Sequence, residues 1–228
     1  MTIDDSRFRL RSVLCLALAM VALSGAPAQA AALPVPYDGP AGQVVTVLAP
    51  GSSSTTAVLE AWERQGSRWI RALGPFPAFV GAEGVGEARE AVARTPAGVW
   101  ALSHAFGNRP GNGTRLPYRQ VTPWDWWVGD SRSLLYNMPF LCPPGLCPFN
   151  ESVSERLGAV GYAYDRAVVM DYNRWPARPG HGSAFFLHVS TGEPTAGCVA
   201  IAAPDLDAVM RWLDPAAHPV IAIAAQQG

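Results

Sequence analysis

The chain has 228 residues, 17 basic and 18 acidic side chains, and a formal net charge of −1 at pH 7. Every basic residue is arginine, and acids and arginines are interspersed with no basic stripe, which excludes the electrostatic footprint of a nucleic-acid binder. No charge block or basic amphipathic helix marks the chain for a membrane surface either.

Arg7, Arg9 and Arg11 precede an apolar stretch from Val13 to Ser24, and Ala28-Gln29-Ala30 follows with a small-x-small pattern. Residues 1–30 therefore read as a secretory signal peptide, with an uncleaved anchor as the alternative. The apolar run is short for a transmembrane helix, so no integral span is expected after cleavage, and Cys15 leaves with the signal. The expected location is the periplasm, the cell wall or the outside of a bacterium. Residues 31–42 form a Pro/Gly-rich lead, and residues 43–228 suffice for one domain with a real core. A monomer is expected.

Gln43 to Ala49 predicts a strand rich in valine. Ala57 to Trp62 and Trp69 to Leu73 flank Gln65-Gly66-Ser67 as a hairpin; near-helical spacing of Leu59, Trp62, Trp69 and Leu73 leaves a helix as the alternative, which Gly66 disfavours. Gly81 to Gly86 is a glycine-rich loop without the lysine of a phosphate cradle. Val99 to Leu102 is a short apolar stretch, and Asn108 to Leu116 a surface loop. Ser152 to Val160 predicts a short helix, with Glu155 three residues after Ser152. Tyr162 to Tyr172 and Ser183 to Ser190 predict strands. Pro204 to Leu213 predicts a helix with proline at its start and Leu206, Val209, Met210 and Leu213 on one face. Val220 to Ala224 predicts a closing strand. The fold class is mainly β with short helices.

Cys142 and Cys147 bracket the turn-forming Pro143-Pro144-Gly145-Leu146, and in an exported protein such a pair most simply closes a disulfide loop. A metal clip or a redox pair is the alternative; no second Cys/His pair at zinc-ligand spacing accompanies it. Cys198 is then an odd thiol, and a thiol needs a base and oxyanion donors to act as a nucleophile.

His188 ends the apolar run Phe185-Phe186-Leu187, and Thr195-Ala196-Gly197-Cys198-Val199 follows across a Gly/Pro loop. Residues 188 and 198 are equidistant from residue 193. If Phe185–Ser190 and Gly197–Ile201 are antiparallel arms, the two side chains face each other with Cβ atoms about 4.5–5.5 Å apart. His188 would take the thiol proton of Cys198, and a main-chain carbonyl, that of Val189, would orient the imidazole. Gly197 permits an unusual backbone conformation, and the N–H groups of Ala196, Gly197 and Cys198 would meet the oxyanion. The bland alternative is a buried cysteine near a hydrogen-bonded core histidine.

Phe186-Leu187-His188 followed by Thr195-Ala196-Gly197-Cys198-Val199 resembles the active-site signature of bacterial L,D-transpeptidases (YkuD-type catalytic domains). Thr95-Pro96-Ala97-Gly98-Val99 and Gln43-Val44-Val45-Thr46-Val47 are similar to further family segments. Ala105-Phe106-Gly107, Tyr136-Asn137 and Gly182-Ser183-Ala184 are similar to a compact exported subgroup. Two positions depart from the pattern: Ala196 stands where the family has a second histidine, and Ala200 where it has arginine or asparagine.

The resemblance implies a single β-sandwich or barrel domain over residues 43–228 acting on peptidoglycan stem peptides. Cys198 would attack the carbonyl of the third-position diacid residue, expel D-Ala, and pass the acyl group to an amine on a second stem. Water as acceptor would make the protein an L,D-carboxypeptidase or endopeptidase, and a decayed site would leave a wall-binding domain. The resemblance also implies acylation of the cysteine by carbapenems, and it calls for no metal or organic cofactor. Tyr172, Asn173, His181, Thr195 and Trp127 are the candidate substrate contacts.

Overall fold

The computed structural model describes residue 1 and residues 32–226. The signal-peptide segment and Cys15 lie outside the described residues. The strands in chain order are β1 (Gln43–Ala49), β2 (Thr56–Gln65), β3 (Arg68–Phe79), β4 (Val85–Gly86), β5 (Thr95–Pro96), β6 (Gly98–Gly107) and β7 (Tyr118–Gln120). They continue with β8 (Asp125–Trp127), β9 (Pro139–Leu141), β10 (Glu155–Arg156), β11 (Ala167–Met170), β12 (Phe186–Val189), β13 (Val199–Ile201) and β14 (Val220–Ala225). Among the described residues there is one α-helix, α1 (Ala203–Trp212), between β13 and β14.

The main sheet runs β11-β12-β13-β3-β2-β1-β14-β6-β7, and β11 also pairs with β6. That extra pairing closes the sheet into a barrel and leaves β7 outside it. Closure removes exposed edges, the usual liability of a β protein. β1 is buried on both faces, antiparallel to β2 and parallel to β14, which is why its sequence reads as continuous apolar rather than alternating. β2 and β3 form the expected hairpin, and Gly66 takes φ +60° at its turn. The helical alternative there is excluded.

Inside the barrel, Leu187, Val189, Val199 and Ile201 meet Leu59, Ile221 and Ile223, and α1 adds Leu206, Val209 and Met210 to the same core, with Leu213 at its C-cap. Outward-facing Phe186 and Cys198 join a second core with Phe106, Trp127, Leu157 and Tyr164. This alternation follows from the period of two along each strand. It puts the signature residues on the outside of the barrel wall, beneath a cap made from residues 121–164. No helix among the described residues is long and apolar enough to cross a membrane.

Three local expectations are corrected. Ser152–Val160 is not a helix: two 3₁₀ turns, Glu151–Val153 and Leu157–Ala159, flank β10. Glu155 and Arg156 extend to pair with Trp127 and Trp126, so tertiary pairing wins over the local capping pattern, and Asn150 caps the first turn instead. The strand expected from Tyr162 to Tyr172 is confined to β11, because Tyr162–Tyr164 form a 3₁₀ turn. β12 begins only at Phe186, since Gly182 and Ala184 both have positive φ, at +84° and +60°.

Candidate active site

The larger correction concerns β12 and β13. They are parallel, with Leu187 opposite Val199 and His188 opposite Ala200. An antiparallel hairpin would have reversed the chain at residue 193. Instead residues 190–198 carry it back along β12 and restart it in the same direction. Thr195 anchors this return, with its N–H donated to Val80 O and its own carbonyl accepting from Ala82 N–H, both at 2.9 Å. By this register Cys198 lies beside Phe186, whose N–H donates to Cys198 Sγ at 3.4 Å. His188, two residues further along β12, points to the same outer side. Imidazole and thiol are diagonal rather than opposed, and both line one cavity of about 230 Å³ between barrel and cap.

Local hydrogen bonds fix the cysteine loop. Gly197 has φ +136°, and a Cβ there would lie 2.7 Å from Phe185 Cε1 and 3.1 Å from Arg94 O. Only glycine fits. Thr195 Oγ1 accepts from Gly197 N–H at 3.1 Å and donates to Cys198 O at 2.7 Å. Thr95 Oγ1 donates to the same carbonyl at 3.1 Å. The Gly197 N–H, expected as an oxyanion donor, is therefore occupied by the Thr195 hydroxyl.

His188 Nδ1 lies 2.9 Å from Val189 O. A carbonyl only accepts, so the proton sits on Nδ1 and Nε2 is left as the acceptor. The Tyr164 ring packs edge-on against the imidazole, with centroids 5.5 Å apart. Burial pushes the His188 pKa down from 6.5, opposed by the bond to Val189. Burial pushes the Cys198 thiol well above 9.0; the Glu155 carboxyl adds to this, and the Phe186 N–H opposes it. Both partners are thus neutral at rest, and the S–H is directed toward Ala184 O at 3.5 Å.

Glu155 and Tyr164 escaped sequence reasoning. Glu155 was read as part of a helix and Tyr164 as part of a strand, yet both line the cavity with His188 and Cys198. Tyr164 Oη donates to Glu155 Oε2. Burial raises the pKa of both, and each partner affects the other. No local signal marks Glu155, because a strand pairing with Trp127 places it.

The remaining candidates are spread around this cavity. Thr195 and Ala196 line it, together with Glu193 of the return loop. Trp127 does not line it: it is 1% exposed, stacks edge-on with Phe186 and donates Nε1–H to Asn137 Oδ1 at 2.8 Å. Tyr172 packs between Trp100 and Phe185, outside the cavity. Asn173 organises a turn by donating to Arg178 O and Gly182 O. His181 is exposed in the neighbouring loop. Asn137 is a buried brace rather than a surface contact, with Oδ1 also accepting from Ala184 N–H and Nδ2 donating to Tyr172 O and Asn173 O. Cys142 and Cys147 are disulfide-bonded, with Cα atoms 5.6 Å apart, and Cys198 is a free cysteine.

Fold and pocket together define a closed barrel with a thiol and an imidazole beneath a cap on its outer wall. The chain belongs to the L,D-transpeptidase catalytic domain family (YkuD), whose model matches residues 53–221. Membership brings L,D-transpeptidase-type activity on peptidoglycan in general. No curated protein and no solved structure gives a significant match to the chain.

Proposed function

We propose that the protein is an exported cysteine acyl transferase that cross-links peptidoglycan stem peptides through a Cys198 thioester. In this reading residues 1–30 direct export and are removed, residues 31–42 are a lead, and residues 43–228 form the catalytic domain. The observation that carries it is the shared cavity of Cys198 and His188, with Nδ1 committed to Val189 O and Nε2 left as acceptor.

On substrate entry the thiol turns from Ala184 O toward Nε2, and His188 removes its proton as sulfur attacks the third-residue carbonyl. Attack from a neutral pair avoids holding a buried thiolate at rest. The N–H groups of Ala196 and Cys198 are the loop donors left for the oxyanion, since that of Gly197 is engaged by Thr195. Collapse of the tetrahedral intermediate breaks the C–N bond. The imidazolium returns its proton to the departing amine of D-Ala, leaving the thioester. An acceptor amine then attacks, loses a proton to His188, and displaces the thiolate, which recovers that proton. Ala196 and Ala200 remove polar neighbours found elsewhere in the family, while the base and nucleophile of this scheme are retained.

A carbapenem tests the scheme by intact mass. One adduct is expected on the wild type and none on Cys198→Ala. A wild type without an adduct, and with a thiol inert to alkylators, would overturn the catalytic reading in favour of wall binding. Tetrapeptide muropeptides with an amine acceptor should give dimers joined through third residues; tripeptides alone would instead identify a hydrolase.

A further inference from the structure

Among the described residues, the lining of the catalytic cavity carries two carboxylates and no arginine. Glu155 stands inside it beside Cys198 and His188, and Glu193 stands on its rim. This is uneven for a chain whose charges nearly cancel. The described ion pairs within 4.0 Å involve neither of these acids. Arg156, next to Glu155 in sequence, turns away and lies over the Trp126 ring at 6.0 Å. The protein partner of the Glu155 carboxyl is the neutral Tyr164 hydroxyl on Oε2.

Among the described residues the Glu155 carboxyl has only a phenol as partner, so its ionised form lacks a counter-charge. A substrate cation would supply it. We propose that Glu155 is a specificity-determining residue that recognises a substrate ammonium group beside the nucleophile. The inference rests on the acyl-transfer reading for its substrate and adds the charge that the cavity selects. Two sources carry that chemistry: a side-chain amine on the acyl donor, and the acceptor amine, which arrives as ammonium and leaves its extra proton on the Glu155 carboxylate before it attacks. Burial raises the Glu155 carboxyl, and an arriving ammonium reverses that rise by favouring the ionised form. Tyr164 holds one oxygen in place and leaves the other for the ligand. β10 fixes the backbone through its pairing with β8, so the carboxyl is positioned by sheet and not by a loose loop.

The first test needs only the thiol. Cys198 is modified with methanethiosulfonates of matched size carrying an ammonium, no charge or a sulfonate, and rates are followed by intact mass. The wild type should react faster with the cationic than with the anionic reagent by about tenfold or more, the scale of one unit charge in a partly buried site. Glu155→Gln should bring the two rates together while the neutral reagent still reacts, which controls for misfolding. Glu155→Asp should restore part of the preference. Equal rates in the wild type, a preference that survives Glu155→Gln, or one that disappears only in Glu193→Gln would overturn the assignment, as would a thiol that no reagent modifies. Because modification requires no acyl transfer, a charge preference in a protein that gives neither a carbapenem adduct nor any muropeptide product would sink the enzymatic reading and leave the cation site standing.

The second test separates the sources. Glu155→Gln should raise KM for tetrapeptide donors with a free side-chain amine and spare the acetylated donor, if the donor supplies the ammonium. If the acceptor does, carbapenem acylation stays intact, and the variant loses thioester capture by ammonium acceptors while retaining capture by neutral hydroxylamine. Parallel loss with charged and neutral substrates would show a merely structural role and overturn the proposal.

Discussion

Thr95 and Thr195 donate to one acceptor, the carbonyl of Cys198, at 3.1 and 2.7 Å. Each hydroxyl also accepts a backbone N–H, from Gly81 at 2.8 Å and from Gly197 at 3.1 Å. The cysteine is thereby clamped from the β5 segment and from its own loop. Thr95→Val and Thr195→Val should each destabilise by about 1 kcal/mol. The double variant should lose more than the sum, because only then is the carbonyl left without a hydroxyl donor, an excess of roughly 1 kcal/mol or more. Chemical denaturation of the four proteins checks this; strict additivity would contradict the shared acceptor.

Gly197 precedes the cysteine with a φ that side chains avoid and with the Phe185 ring in contact distance. Gly197→Ala should destabilise by about 1–3 kcal/mol and shift Cys198 off its line. The expected result is a folded protein by circular dichroism with carbapenem acylation slowed at least tenfold. Wild-type acylation in this variant would show that the loop geometry is not needed.

The neutral resting pair has a signed pH signature. A thiol raised above 9.0 gains thiolate as pH rises, so iodoacetamide alkylation should keep climbing through and beyond 9.0. A histidine lowered below 6.5 stays unprotonated to lower pH, so the acid limb of carbapenem acylation should fall below 6.5. An alkylation plateau already reached at neutral pH would instead indicate a preformed thiolate–imidazolium pair. His188→Ala should slow acylation near neutral pH, and an unchanged rate there would remove its role as base.

Asn137 joins the cap to the approach of β12 through Trp127, Ala184, Tyr172 and Asn173, and its own φ is +57°. Asn137→Ala should destabilise by about 2–4 kcal/mol, since it strands the buried Trp127 N–H and strains the backbone. Asn137→Gly removes the strain and keeps the loss of bonds. A thermal unfolding series in which glycine restores wild-type stability would assign the whole effect to backbone conformation.

The disulfide lies apart from this machinery, in a largely exposed loop. Replacing Cys142 and Cys147 with serine should lower stability by about 2 kcal/mol, the loop-entropy expectation for so short a ring. Carbapenem acylation of the folded double variant should match the wild type; a lost adduct would tie the loop to the site.

The hairpin of β2 and β3, the valine-rich β1 and the face of α1 were legible because periodicity and a turn glycine are local signals. So was the contrast between a paired Cys142–Cys147 and a lone Cys198. The helix expected over Ser152–Val160 failed for the opposite reason: its capping pattern is local, but pairing of Glu155 and Arg156 with Trp127 and Trp126 is not. Trp127 was a candidate substrate contact, and only the packing of the cap shows it buried against Phe186.

The histidine and the thiol were therefore set by the sequence itself, along with the glycine that must precede Cys198 and the carbonyl partner one residue after His188. Their relation was not. Whether two neighbouring segments run parallel or antiparallel depends on what the intervening loop docks against, here Val80 and Ala82 through Thr195. Only the tertiary structure decided that His188 pairs in register with Ala200 and that Glu155, brought in by its pairing with Trp127, lines the cavity with Cys198. A chain's own pattern records what each segment buries; which segments meet is settled by long-range packing.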